Sequence, residues 1–534
     1  MLRLAPAAVI LALVALAALG SAPGALAEDD LVHIKSHVVY GIRPDQGPVR
    51  VAWDISIQNN DPQTARGGGR RTSVSYYDTF SFPVLAGATS VTARSAAGTN
   101  LQVDLGGPSP GLVTPAAVKL DKQLFYHDSY ALRLEYEIPE TRRAALIVTP
   151  AYAFVPLVAG GDEATVEVSL PEGEPWSASV ETGDCTRDGN SFACTGADSV
   201  FLAGVAEAAR PDLTATLTRD VQLRDRKVQV NITYFQGEEA FAQHLGDLAV
   251  NALPVIEDLY GFTYSGADTI NVSERVRQVI LGYEGLTQCD AAACEVNISP
   301  IADDYTVLHE FAHLWSGIYA KRWLAEGFAQ YISVQAAAYL PEGLVSGSPP
   351  EREQPSVDLR LDDWGEVTSI IGAAEEDLAL ENAGYYRSQR FLDQLGFELG
   401  LETLRRANQA ISRTGAPADS RRFMDVLEDV SGRNNDGLFL EWVFPDSLDS
   451  LLADRREARD RLTNLIARVQ EEGLTEDVPA QIAEKVKAWK FDEAFGALDS
   501  AEAGLETYDG LKQELAQLRN DVSAAGLVLS DDIE

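Results

Sequence analysis

From Glu28 to about Asp212 the chain is written in short runs in which apolar and polar residues alternate or apolar residues cluster, broken by Gly, Pro, Asn and Asp. Val49–Asn59 (VRVAWDISIQN), Tyr130–Ile138 (YALRLEYEI), residues 144–158 (AALIVTPAYAFVPLV) and residues 164–170 (ATVEVSL) carry this signal. A period of two sends successive side chains to opposite faces of a sheet, so the segment predicts an antiparallel β domain. After Pro211 the pattern becomes mixed. Lys227–Gln236 and Asp268–Glu274 read as strands, and so do Gln278–Gly285 (QVILGYEG) and Cys294–Pro300; the intervening Glu238–Phe262 has the three-to-four spacing of an amphipathic helix. From Asp303 to about Val443 the signals are helical, and from Leu448 to Leu527 the chain is rich in Ala, Leu, Glu and Arg, with breaks at Glu471–Pro479 and Gly496–Gly504, the pattern of a small helical bundle. The expected architecture is therefore multidomain α+β. An antiparallel β domain spans 28–212, a mixed sheet with helices 213–445, and a helical region 446–534.

Residues 1–27 change the expected location. Arg3 precedes an apolar run from Ala7 to Leu19, and small residues ending in Ala-Leu-Ala close at Ala27, which predicts a cleavable secretory leader. The run is short for a membrane span, and no second stretch of spanning length follows, so the mature chain is expected to be secreted or extracytoplasmic with no transmembrane segment. Four cysteines in two close pairs, Cys185 with Cys194 and Cys289 with Cys294, suit an oxidising compartment, because neither pair has zinc-knuckle spacing or a nearby histidine. With 81 acidic against 43 basic residues and a formal net charge of −38, the surface argues against nucleic acid and anionic lipid as partners. An excess of this kind first keeps a protein solvated; it also offers a field for cationic peptides.

Candidate chemistry is concentrated in Leu308–Tyr331, LHEFAHLWSGIYAKRWLAEGFAQY. His309 and His313 lie four residues apart, on one face of a helix, where both imidazoles reach a single metal and Glu310 lies beside it to hold a water. The whole chain has only six histidines, which makes the pairing harder to ascribe to chance. A helix with two satisfied histidines would look the same, and what separates the readings is a third protein ligand, which Glu326 supplies.

In these residues the sequence resembles the gluzincin zinc metallopeptidases of aminopeptidase N type and their peptidase MA-like relatives. Their HExxH is followed by a WLxEGxAxY-like segment, matched here by Trp323, Leu324, Glu326, Gly327, Ala329 and Tyr331. The resemblance, covering about Thr214 to Pro445, implies a thermolysin-like zinc peptidase domain with His309, His313 and Glu326 as ligands of one zinc ion per chain and Glu310 as general base. It departs in spacing: twelve residues, Leu314 to Ala325, separate the second histidine from the glutamate, where aminopeptidase N-type enzymes have eighteen. The same enzymes carry a tyrosine in a YxKGxxVL-like helix. Tyr385–Leu395 (YYRSQRFLDQL) is similar, which implies Tyr385 as the oxyanion donor, with Arg387 and Ser388 in place of Lys and Gly. Their GxMEN strand has only a degraded counterpart in Gly282, Tyr283, Glu284 and Gly285, implying Gly282 and Glu284 as substrate-binding residues, Glu284 holding an N-terminal amine. The substrate implied is a peptide or protein, cut at its N-terminus. Cleavage at internal bonds and a non-catalytic binding protein on a peptidase fold stay open as alternatives.

Overall fold

A computed structural model of the chain describes residues 31–64, 75–107, 111–143, 145–173, 175–182, 186–188, 191–195, 201–289, 294–475 and 477–527. The leader and the Cys185–Cys194 pairing lie outside the described residues. The architecture is α+β, with β sheets in the N-terminal part, a mixed sheet with helices after it, and helices to the C-terminal end. The described residues divide into two compact units. The first runs to Gly317 and includes Leu324–Asp358 and Gly365–Asp393; the second holds Ile318–Trp323, Leu359–Trp364 and the chain from Gln394 onward.

The β part of the first unit contains a ten-stranded and a five-stranded sheet. Val49–Asn59 shows why it forms: Val49, Val51, Trp53, Ile55 and Ile57 are all buried while the residues between them are more exposed. Those side chains join Val38, Tyr40, Tyr136 and Val155 in one apolar core. Among the described residues of this part, pairing is antiparallel except where Val32–Gly41 runs parallel to Glu163–Ser169. The apolar run 144–158 forms two strands, Leu146–Val148 and Tyr152–Ala159, because Thr149 and Pro150 turn the chain and Thr149 N–H donates to the Tyr152 carbonyl at 2.7 Å.

The next sheet comprises β1 (Thr214–Gln222), β2 (Lys227–Phe235), β3 (Thr269–Glu274), β4 (Gly285–Cys289) and β5 (Cys294–Ile298), in the order β1-β2-β3-β5-β4. β2, β3 and β5 run parallel, while β1 and β4 are antiparallel edges. Cys289 and Cys294 form a disulfide that clips the hairpin between β4 and β5. The expected strand over Gln278–Gly285 is a turn as far as Tyr283. Leu281 and Gly282 take φ values of 60° and 93°, and the Gly282 amide and carbonyl are both consumed by Arg277.

Helix α1 (Glu239–Tyr260) packs on β1 and β2, and Leu245, Leu248, Ala252 and Ile256 are among its buried residues. Helix α2 (Asp304–Ala312) follows β5, and α3 (Arg322–Ala337) and α4 (Glu375–Leu399) complete the elements around the histidines. In the second unit, Trp323 Nε1 donates to Ser420 Oγ at 2.9 Å and Ser420 Oγ to Asp362 at 2.6 Å. The core of that unit contains a buried ion cluster, with Arg455 at 2.6 Å from Asp425 and 2.7 Å from Glu428.

One ion pair ties α1 to the start of α2. His244 Nε2 lies 2.6 Å from Asp304 Oδ1, and the other carboxylate oxygen accepts from the Ser346 amide and hydroxyl at 2.7 Å. The bond to Asp304 raises the His244 pKa; burial pushes the Asp304 carboxyl up, but His244 and Ser346 more than offset this and hold it low. The Asp304 contribution is thus present above an unfolded pKa of about 3.9, and the His244 contribution fades as pH rises through a value above about 6.5. His244→Gln is expected to lower the melting temperature more at pH 5.5 than at pH 9. An equal decrease at both pH values would contradict the charged pair.

Candidate metal centre

The histidine helix begins where Asp303 caps it: its side chain accepts from the Thr306 amide at 2.7 Å. One turn of helix then sets His309 above His313, with their Nε2 atoms 3.0 Å apart and both rings largely buried. Val307, Leu308, Phe311 and Ala312 occupy the apolar faces, so the helix cannot rotate the histidines outward without exposing its core side.

Glu326 comes from α3 and reaches the same point. Its Oε2 is 3.2 Å from His309 Nε2 and 3.5 Å from His313 Nε2. The next residue explains how α4 approaches so closely. A Cβ at Gly327 would lie 2.9 Å from Leu392 Cδ2 and 3.2 Å from the Ser388 carbonyl, so glycine here lets the backbones of α3 and α4 meet. Ser388 is buried and donates to the Tyr385 carbonyl, one turn back along α4. Tyr385 turns its ring under the Arg352 guanidinium, at 4.6 Å from the ring centre, and that guanidinium is also within electrostatic reach of Glu326. Tyr386 instead lies against the exposed Arg390, at 5.6 Å. Of the two tyrosines, Tyr385 is the one whose ring lies against Arg352.

The three donor atoms test the site for zinc. Bonds of about 2.0–2.1 Å in a tetrahedron place neighbouring ligand atoms about 3.3 Å apart. The observed separations of 3.0, 3.2 and 3.5 Å bracket that edge. Two imidazoles and one carboxylate are also the donor set of a zinc site that keeps a fourth position open. A Glu310 carboxylate oxygen is within 4.8 Å of both imidazoles, but Glu326 is the one at ligand distance. Burial alone would push the Glu326 carboxyl up; the charges and hydrogen bonds of His313 and His309 override it and hold it well below the usual range. Buried Glu310 Oε2 has no hydrogen-bond partner among the described residues, as expected of an acceptor directed at something still to arrive.

Glu310 is confined by the edge strand. At Gly285 a Cβ would fall 2.5 Å from Glu310 Cγ, and Thr287 Oγ1 donates to the Glu310 carbonyl at 3.0 Å. Sequence reasoning singled out Gly282 and Glu284 here and passed over Gly285, whose role depends on a packing distance that no spacing encodes. Gly282 sits in the turn, with its Cβ position against Ile370 and Ile371. Glu284 is half-buried, one residue before the Glu310 contact; burial is the largest influence on it, with Asp303 adding and Arg277 opposing, and pushes its carboxyl up to about 7. Its neighbour Tyr283 donates to Glu381 on α4 at 2.6 Å. Arg352 was also missed, because nothing in the run Glu351–Gln354 distinguishes it from a solvated loop residue.

No family model and no curated protein matches the chain. Among solved structures, an M1 zinc metallopeptidase from Deinococcus radiodurans bound to a Tyr-Ser-Ala substrate is similar at 16% identity, over 78% of this chain and 94% of its own, with a TM-score of 0.30. A two-domain M1 zinc metallopeptidase bound to L-tryptophan is similar at the same 16% identity, over 78% and 95%, with a TM-score of 0.31. Likenesses this loose carry no argument about this chain, and the chemistry rests on its own residues.

Purified protein is expected to hold one zinc per chain. Glu326→Ala should weaken zinc binding by more than about 100-fold, since even outer partners of metal ligands contribute about 10–100-fold. Competition with a zinc-sensitive chelating dye measures it; unchanged affinity would remove Glu326 from the ligand set. Gly285→Ala should leave zinc affinity intact while lowering the melting temperature, because the new methyl must displace Glu310 or the edge strand. A variant as stable as the parent would mean that this approach is looser than the structure describes.

Proposed function

We propose that the chain is an exported zinc-dependent peptidase that removes N-terminal residues from peptides. The observation that carries the reading is the convergence of His309, His313 and Glu326 on one point, with the unpaired Glu310 carboxylate beside it. The expected leader and the Cys289–Cys294 disulfide support export.

When bound, zinc would be held by His309, His313 and Glu326 and would supply a Lewis acid for the scissile carbonyl together with a water acidified towards a pKa of about 7. The chain's own residues do the rest. Glu310 takes a proton from the attacking water at its Oε2 and passes it to the nitrogen of the breaking C–N bond, so that the products are a carboxylate and a free amine. Tyr385 donates its phenolic hydrogen to the carbonyl oxygen as negative charge develops there. Edge strand β4 offers its outer backbone to an extended peptide. Glu284, just before that strand, holds the peptide's terminal ammonium by a charge-assisted hydrogen bond. Because burial pushes its carboxyl up to about 7, recognition of the amine should strengthen as pH rises through that value.

The test compares a free tripeptide with its N-acetylated twin. Acetylation should block cleavage, and Glu284→Ala should raise KM for the free peptide while leaving zinc content unchanged. Glu310→Gln should lower turnover by about 10²–10⁴, and Tyr385→Phe by about 10²–10³ with little effect on KM. Equal cleavage of both twins at internal bonds would replace the N-terminal reading with that of an endopeptidase. Absence of hydrolysis by the zinc-loaded protein across a broad peptide library would leave a non-catalytic zinc protein.

A further inference from the structure

Arg352 has no part in the chemistry described so far, yet it lies against Tyr385. It lies in the connection between α3 and α4. Its guanidinium covers the Tyr385 ring at 4.6 Å; burial lowers its pKa, and the carboxylates of Glu326 and Glu381 oppose that. Neither carboxylate neutralises it by contact. Among the described residues no carboxylate lies within ion-pair distance of Arg352, and its Nε is buried without a hydrogen-bond partner. Glu326 is committed to the histidines at 3.2 and 3.5 Å, and Glu381 accepts from the Tyr283 hydroxyl at 2.6 Å.

The buried Nε–H of this partly exposed guanidinium has no acceptor, which costs the desolvation of that donor unless a ligand completes it. Its planar fork matches one ligand chemistry above others in a peptide, a carboxylate taken by two parallel N–H···O bonds. The charge of the site agrees. Two neutral imidazoles and the Glu326 carboxylate around a divalent ion leave one positive charge, and Arg352 adds a second close by. A protein whose formal net charge is −38 repels carboxylates over most of its surface, so a local positive charge selects where one can be received.

We infer that Arg352 is a carboxylate-binding residue that fixes a peptide's α-carboxylate or acidic side chain beside the metal centre. The inference rests on the peptidase reading for the identity of the ligand as a peptide. If the α-carboxylate is the group bound, the enzyme acts on short peptides, because the far end must reach a residue that touches Tyr385. If an acidic side chain is bound, the same contact selects Asp or Glu near the scissile bond. In either case Arg352 determines specificity and leaves the proton transfers to Glu310 and Tyr385.

The experiment uses zinc-loaded full-length Glu310→Gln protein, alone and combined with Arg352→Gln or Arg352→Lys, and measures binding by calorimetry. The probes are Ala-Ala-Ala and its C-terminal amide, then Glu-Ala-Ala-amide and Gln-Ala-Ala-amide. At least one carboxylate-bearing member should bind about tenfold or more tightly than its twin, as loss of a charge-assisted bond predicts. Arg352→Gln should abolish that difference, and Arg352→Lys should restore part of it. Which pair shows the difference tells the α-carboxylate from the side chain. In the otherwise unsubstituted enzyme, Arg352→Gln should raise KM for the favoured peptide and leave KM for its twin unchanged. Equal binding within both pairs, or a preference that survives Arg352→Gln, would overturn the proposal, as would a fall in kcat shared equally by both twins with no change in binding preference. That last result would mark Arg352 as a brace for the Tyr385 ring. If no peptide is cleaved but the binding preference holds and depends on Arg352, the peptidase reading fails and the carboxylate site stands.

Discussion

Two imidazole nitrogens and a carboxylate oxygen held within 3.5 Å of one another in a largely buried pocket set the terms for the rest of this structure. Lone pairs facing each other at that distance repel unless a proton or a cation lies between them, and burial removes the water that would otherwise screen them. The surrounding elements hold the arrangement against that repulsion. Asp303 caps the helix that carries both histidines, and the apolar face of that helix is sealed by Leu308, Phe311 and Ala312.

Two glycines extend the constraint outward. Gly327 allows α4 to close on α3; Gly285 leaves room under the edge strand for the Glu310 side chain. Both positions exclude a Cβ because of packing, and neither depends on a special backbone angle. His309, His313, Glu326, Glu310 and the edge strand are consequently parts of one packed assembly. A methyl group added at Gly285 would press directly on Glu310, and one at Gly327 on Leu392 and Ser388 of α4.

The sequence made the donors legible because helical geometry is local: four residues separate His309 from His313, and that alone puts them on one face. The two-residue alternation of Val49–Asn59 was equally plain, since each apolar position is buried. What failed was whatever depends on a local turn or a distant contact. The run Gln278–Gly285 has the apolar content of a strand, but Arg277 takes both the amide and the carbonyl of Gly282 and closes a turn there. Arg352 carries no pattern at all. Its place over Tyr385 follows from how the connection between α3 and α4 folds back, which no periodicity records. The division of the helices was also hidden, because Leu401–Ser412, Ser420–Ser431 and Asp436–Trp442 belong to the same compact unit as the C-terminal helices, while their apolar spacing gives no hint of which neighbours they choose.

The acidity of the chain sharpens the picture of its centre. In a chain of net negative charge, His309, His313, Glu326, Arg352 and the half-buried Glu284 are the groups on which the proposed function turns. All of this presupposes that a metal sits where the three donors meet. X-ray absorption at the zinc edge on the purified, zinc-loaded protein tests that most directly. The account predicts two nitrogen neighbours from imidazole and oxygen neighbours including one carboxylate, all at about 2.0–2.2 Å, with the imidazole scattering reduced in a His313→Ala variant. A zinc spectrum without imidazole scattering, or one unchanged by loss of His313, would contradict it.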